Sequence, residues 1–191
     1  MSREENVINY YVTMNRLKRY IRSAWTTWNV QSDRLESIFE HVASVQNLAI
    51  AIYSEYDYDL DLSKVIEMLA IHEIGESFIE DITMFDMNPE EKEKMEHEAV
   101  HKILEPLYDG NKIEELFLEF DEQKSKEALF AFFCDKLECD LQACIYAEEG
   151  LVDLNNQPNN NALSHPLVKE LLDSGESFKG MWIKFSQAMY P

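Results

Sequence analysis

Three short stretches of this 191-residue chain set metal-ligand side chains into otherwise apolar sequence: Glu40-His41 in SIFEHVASV, His72-Glu73 in MLAIHEIGE and Asp135 in ALFAFFCDKL. Burying an imidazole or a carboxylate is costly unless the group is paired or coordinated. A divalent cation is the simplest single partner for all three places. Two imidazoles and two carboxylates form a mixed nitrogen and oxygen set, which suits Mn, Co, Fe, Ni or Zn better than an ion that favours oxygen alone. Taken singly, each has a plainer reading: a core histidine bonded to a carbonyl, or an aspartate in an ion pair with Lys136.

These residues need rigid elements to bring them together, and the chain reads as helical throughout. It has only 5 Gly and 5 Pro, too few for a fold of many strands and tight turns. Apolar spacing predicts a helix over 6–22, then an aromatic loop carrying Trp25 and Trp28. A second helix capped by Ser32 or Asp33 runs to about Tyr53, and 55–61 is an acidic loop. Asp61 or Ser63 starts an apolar helix containing VIEMLAIHEIGE, buried nearly all round. After a loop at 82–89, helices follow over 90–105, about 111–121, and 125–148 with Gly150 as its C-cap. NNQPNNN at 155–161 is a polar loop, and two short helices near 166–173 and 176–188 close the chain. The expectation is one all-α domain over residues 1–191, with about six to eight helices.

The order and surroundings of the ligand types resemble the HD superfamily of metal-dependent phosphohydrolases, and within it the 5′-deoxynucleotidase-like branch. RLESIFEH at 34–41, HEIGESFIEDIT at 72–83, ALFAFFCDKLECDLQA at 128–143 and RLKRYIRSAW at 16–25 are similar to that family's motifs. The likeness spans roughly residues 14–148, with 150–191 a helical extension. It implies that His41, His72, Glu73 and Asp135 hold one divalent transition metal. Glu76, one helical turn after His72, orients or deprotonates the attacking water. Asp81 assists the leaving oxygen or positions the substrate. Arg22 binds the phosphate, to which guanidinium geometry is well matched. Trp25 stacks on or walls in the sugar or base. The implied substrate is a nucleoside or deoxynucleoside 5′-monophosphate. Two alternatives stay open: another small phosphorylated or pyrophosphorylated metabolite, or a helical protein that binds metal without catalysis.

Two positions depart from the family pattern. Glu73 stands where the second acid is ordinarily Asp, and Glu80 stands where a Gly ordinarily precedes Asp81. The first bears on metal geometry and the second on how closely that loop approaches a phosphate.

A competing motif is His97-Glu98-Ala99-Val100-His101, which matches the H-E-x-x-H pattern of zinc proteases. Its flanks, EEKEKME before and Pro106 soon after, read as a solvated helix, with Glu98 and Ala99 near the inner side. EFDEQKSKE likewise reads as a solvated face. Trp25 and Trp28 also suit a core plug or a dimer contact.

Composition narrows the function classes. With 17 Lys plus Arg against 37 Asp plus Glu, the net charge is −20, which disfavours a nucleic-acid polymer as partner. Cys134, Cys139 and Cys144 are odd in number and lie along one helix, so reduced thiols are expected rather than a disulfide framework. No apolar run approaches the roughly 18 residues of a membrane span, and the N-terminus has no signal-peptide core. A cytoplasmic homodimer without membrane contact is the expectation.

Overall fold

The computed structural model describes residues 1–56, 58–79 and 88–154. Among them the chain is all-α, as expected. The helices are α1 (Arg3–Met14), α2 (Ser23–Thr27), α3 (Ile38–Glu55), α4 (Leu62–Ile71), α5 (Glu76–Ile79), α6 (Pro89–Leu104), α7 (Gly110–Asp121) and α8 (Lys126–Glu148), with a 3-10 turn at Asn15–Lys18. The expected helices near 166–173 and 176–188 and the 155–161 loop lie outside the described residues, as do most of the 82–89 loop, Glu80 and Asp81.

Helix α8 is the axis of the fold. Its buried residues include Phe130, Phe133, Cys134 and Leu137, and they pack with Val45, Ala49 and Ile52 of α3 and Val65, Met68 and Leu69 of α4. A helix apolar on nearly every side has to sit inside others. A second cluster joins the end of α4 to α6 and α7 through Ile71, Ile74, Val100, Leu104 and Phe117. All three cysteines are free and buried on α8.

Local chemistry explains where the helices begin. Ser37 caps α3: its hydroxyl accepts from the Glu40 N–H, and the Glu40 carboxylate accepts from the Ser37 N–H. That reciprocal arrangement satisfies two donors that would otherwise lack partners. The cap is therefore Ser37 and not Ser32 or Asp33. Asp61 and Ser125 cap α4 and α8 through their side chains, and Gly150 follows α8 with φ of 73°.

The expected helix over 6–22 is broken. The Asn15 amide donates to the Tyr11 carbonyl at 2.8 Å, a local bond that competes with helix continuation. The backbone then straightens. Ile38 N–H donates to the Tyr20 carbonyl at 2.9 Å and Arg22 N–H donates to the Glu36 carbonyl at 3.0 Å. This antiparallel bridge, Ile21 to Ser37, ties Arg22 and Glu36 together. Trp25 follows in α2 rather than in a loop.

Candidate metal centre

The α4 helix stops at Ile71, so His72 and Glu73 stand on a tight turn, not within the helix expected from VIEMLAIHEIGE. The turn is closed by Ile74 N–H to Ile71 O at 2.9 Å and Glu76 N–H to Glu73 O at 3.2 Å. Gly75 is required there: a Cβ at this position would lie 2.6 Å from Cγ of Glu96, so only glycine lets α6 press this close.

Four donors meet beside this turn. His41 comes from α3, His72 and Glu73 from the turn and Asp135 from α8, and all are buried. His41 Nε2 lies 3.0 Å from Asp135 Oδ1, 3.6 Å from Glu73 Oε1 and 3.4 Å from His72 Nε2. His72 Nε2 lies 3.6 Å from Glu73 Oε1 and 3.8 Å from Asp135 Oδ1. Ligand atoms about 2.1 Å from a tetrahedral centre are about 3.4 Å apart, so these separations fit a transition-metal cation. The rings are aimed for it. His72 Nδ1–H donates to the Leu69 carbonyl at 2.8 Å, leaving the Nε2 lone pair toward the cluster.

The electrostatics match a site kept ionised. Burial opposes charge on Glu73, but Arg22 and the two histidines hold its carboxyl at about 2. Burial likewise opposes charge on Asp135, yet Lys136 and the histidines keep it well below the usual carboxylate range. His41 is pushed down by burial and by Arg22; its bonds with Asp135 and Glu138 outweigh both and lift it to about 9. Burial pushes His72 down. Its neutral imidazole is the ligand form.

The remaining expected residues are distributed around this cluster. Arg22 Nη1 lies 2.5 Å from Glu73 Oε1, and Nη2 donates to Cys139 Sγ at 3.2 Å. Glu76 is buried, with Lys92 Nζ 3.6 Å from its Oε1. Trp25 is only 1% exposed. Its indole N–H donates to Glu36 at 3.1 Å, and it packs on Tyr146 edge to face. This enclosure matches the core-plug reading of Trp25. Asp135 also meets Lys136, at 2.8 Å from Oδ2, so ion pairing and ligand placement coexist on one carboxylate.

Sequence reasoning overlooked four residues near the cluster: Glu36, Glu138, Lys92 and Glu96. Glu138 could have been found, because it lies three residues after Asp135 on one helix face. Lys92 and Glu96 sit inside the run EEKEKMEHE, whose alternating charges imitate a solvated face. Burial and the charge of Glu73 push Glu96 up to about 7. Glu127, in the other charged run, is also buried, and accepts from the Asp61 N–H at 3.1 Å.

The H-E-x-x-H residues are occupied elsewhere. His97 pairs with Asp121 at 2.8 Å and His101 with Glu114 at 3.0 Å, both across to α7. Glu98 is exposed, not on the inner side. Glu93, His97 and Asp121 could together hold a cation, but His101 and Glu98 take no part in that group. Replacing His97 or His101 by Ala is expected to leave the affinity of the protein for its tightest metal unchanged, measured by competition with a chelator. Loss of that metal in either variant would move the centre to α6.

The chain is similar to known proteins over most of its length. A family model described as HD domain matches residues 14–171. The chain is 28% identical to a 5′-deoxynucleotidase HDDC2 of Dictyostelium discoideum, covering 87% of this chain and 94% of the relative. It is equally similar, at 28%, to the Homo sapiens 5′-deoxynucleotidase HDDC2, covering 90% and 85%. Among solved structures, one from Magnetospirillum magnetotacticum, described as a predicted metal-dependent phosphohydrolase, superposes with a TM-score of 0.71 at 21% identity, over 96% of this chain and 90% of that one. A Pyrococcus horikoshii protein, PH0347, gives 0.67 at 24% identity, over 93% and 94%. At these identities the two structures speak to the fold alone.

Proposed function

The chain belongs to the HD-domain family, and from that premise we propose that it is a metal-dependent phosphomonoesterase acting on deoxynucleoside 5′-monophosphates. The observation that carries the reading is the meeting of two imidazole nitrogens and two carboxylates, all buried, at separations of 3.0–3.8 Å where described. The names of the relatives supply the substrate class.

His41, His72, Glu73 and Asp135 would hold one divalent transition metal. Such a cation lowers the pKa of a water and draws charge from a phosphoryl oxygen. Glu76 takes the proton from the attacking water as its oxygen bonds to phosphorus. The bond from phosphorus to the sugar oxygen breaks, that oxygen takes up the proton Glu76 received, and Asp81 assists at the leaving oxygen or positions the substrate. Arg22 and Lys92 supply positive charge for the phosphate, which a chain of net charge −20 must concentrate locally. In this structure Arg22 is paired with Glu73, so phosphate binding draws on a guanidinium already anchored beside the ligands. Trp25 supports the site as an enclosed side chain bonded to Glu36, rather than as a stacking surface.

The homodimer and cytoplasmic location expected from the sequence belong to the same reading. Val7, Ile8, Tyr11 and Val12 of α1 are exposed and form an apolar surface open to a second copy. Among the described residues no helix is long and apolar enough to cross a membrane.

The test is phosphate release by metal-stripped protein from ribo- and deoxynucleoside 5′-monophosphates, with Mn, Co, Mg or Zn added back. Metal-dependent release favouring the deoxynucleotides is expected. Absence of release from every nucleotide under every metal would sink the nucleotidase reading.

A further inference from the structure

A line of buried polar groups runs from the back of His41 into the core. While Nε2 faces the ligand cluster, Nδ1 lies 2.6 Å from Glu138 Oε2. Glu138 is in turn hydrogen-bonded to Glu36. Glu36 accepts the indole N–H of Trp25 at 3.1 Å, and its backbone N–H donates to the Tyr146 hydroxyl at 2.9 Å. Exposures are 0% for His41, 5% for Glu138, 6% for Glu36 and 1% for Trp25.

Two carboxyl groups touching in a buried place are costly, and a hydrogen bond between them requires a shared proton. Burial, followed by the charge of Glu138, pushes Glu36 up to about 7. Glu138 thus meets the Glu36 carboxyl on one side and His41 Nδ1 on the other. Every member of the line has a partner, as a buried polar network needs. An apolar pair would fill the same volume at less cost, so the arrangement has a use beyond packing.

We propose that Glu138 and Glu36 are positioning residues of the metal centre. Glu138 fixes the His41 ring so that Nε2 faces Asp135 and Glu73, and Glu36, anchored by Trp25 and Tyr146, fixes Glu138. This rests on the reading of His41 as a metal ligand. A carboxylate behind a ligand imidazole holds its orientation and raises its basicity. The line also gives Trp25 of α2 a route to the site, through Glu36.

The test is Mn²⁺ affinity of the full chain, read by competition with a fluorescent chelator, with circular dichroism beside it. Wild type is expected to bind one tight Mn²⁺. Glu138→Met weakens binding about 10- to 100-fold, the usual effect of losing such a partner. Glu138→Gln restores much of it, because its amide oxygen still accepts Nδ1–H. Glu36→Gln stays close to wild type, since an amide imitates a protonated carboxyl, whereas Glu36→Met weakens binding. Equal affinity of wild type and a folded Glu138→Met overturns the proposal. If Glu138→Met does not fold, the Glu36 pair decides: equal affinity in Glu36→Gln and Glu36→Met overturns it, and weaker binding in Glu36→Met alone supports it. Failure of wild type itself to bind Mn²⁺, Co²⁺ or Zn²⁺ overturns the metal-centre reading instead.

Discussion

Glu76→Gln is expected to lower kcat by about 10²- to 10⁴-fold at saturating metal, the range for removal of a general base. The substitution keeps the volume of a side chain that is 3% exposed and takes away its ability to accept a proton as a carboxylate, together with its charge toward Lys92. Metal affinity should not follow kcat down, because Glu76 is outside the group formed by His41, His72, Glu73 and Asp135. Steady-state phosphate release and Mn²⁺ titration on the same preparation separate the two. If kcat holds within a few-fold, another group takes the proton. If metal affinity falls together with kcat, Glu76 belongs to the ligand set and the assignment of the base fails.

Asp135→Ala is expected to abolish tight metal binding and to destabilise the chain even without metal. Asp135 Oδ1 faces His41 and His72 while Oδ2 meets Lys136. Its removal leaves buried His41 without one of its two carboxylate partners, and breaking a buried pair costs about 3–5 kcal/mol. Metal added to wild type at about 1,000 times Kd stabilises the fold by about 4 kcal/mol through mass action. Thermal unfolding with chelator and with Mn²⁺ should therefore give a large metal-dependent rise in Tm for wild type and none for Asp135→Ala. His72→Ala is the companion variant. His72 comes no closer than 3.6 Å to a carboxylate, whereas His41 meets two within 3.0 Å, so loss of His72 should remove the metal response with less effect on the metal-free Tm. A wild-type metal response surviving in Asp135→Ala would show that the cation sits elsewhere.

The acidic run at 90–98 illustrates why one part of the site was hidden. Glu90, Lys92, Glu93, Lys94 and Glu96 look alike in sequence, and alternating charge on a helix ordinarily faces water. Lys92 and Glu96 turn inward because the 72–75 turn, with its glycine, lets α6 approach. Nothing in the run itself distinguishes the inward charges. The ligand types were legible for the opposite reason: His41, His72 and Asp135 interrupt apolar sequence, where an ionisable group needs a partner.

The sequence by itself determined the helical class, since scarcity of Gly and Pro and apolar spacing act within a few residues of each other. It offered Asp61 as one of two starts for α4 and set out the candidate ligand types, and likeness to a family assigned those ligands to one set. Tertiary structure decided the rest. It ended α4 at the residue before His72, so that two candidate ligands stand on a turn. It broke the first helix so that Tyr20–Arg22 could pair with Glu36–Ile38, and it enclosed Trp25. It also brought Glu138 and Glu36 behind His41 from α8 and from the segment preceding α3. These outcomes depend on contacts between residues about 11 to 110 positions apart, such as Trp25 with Glu36, Arg22 with Glu73 and Glu36 with Tyr146. Local propensity carries no information about such pairs; only the packing of α3, α4 and α8 around one core brings them within bonding distance.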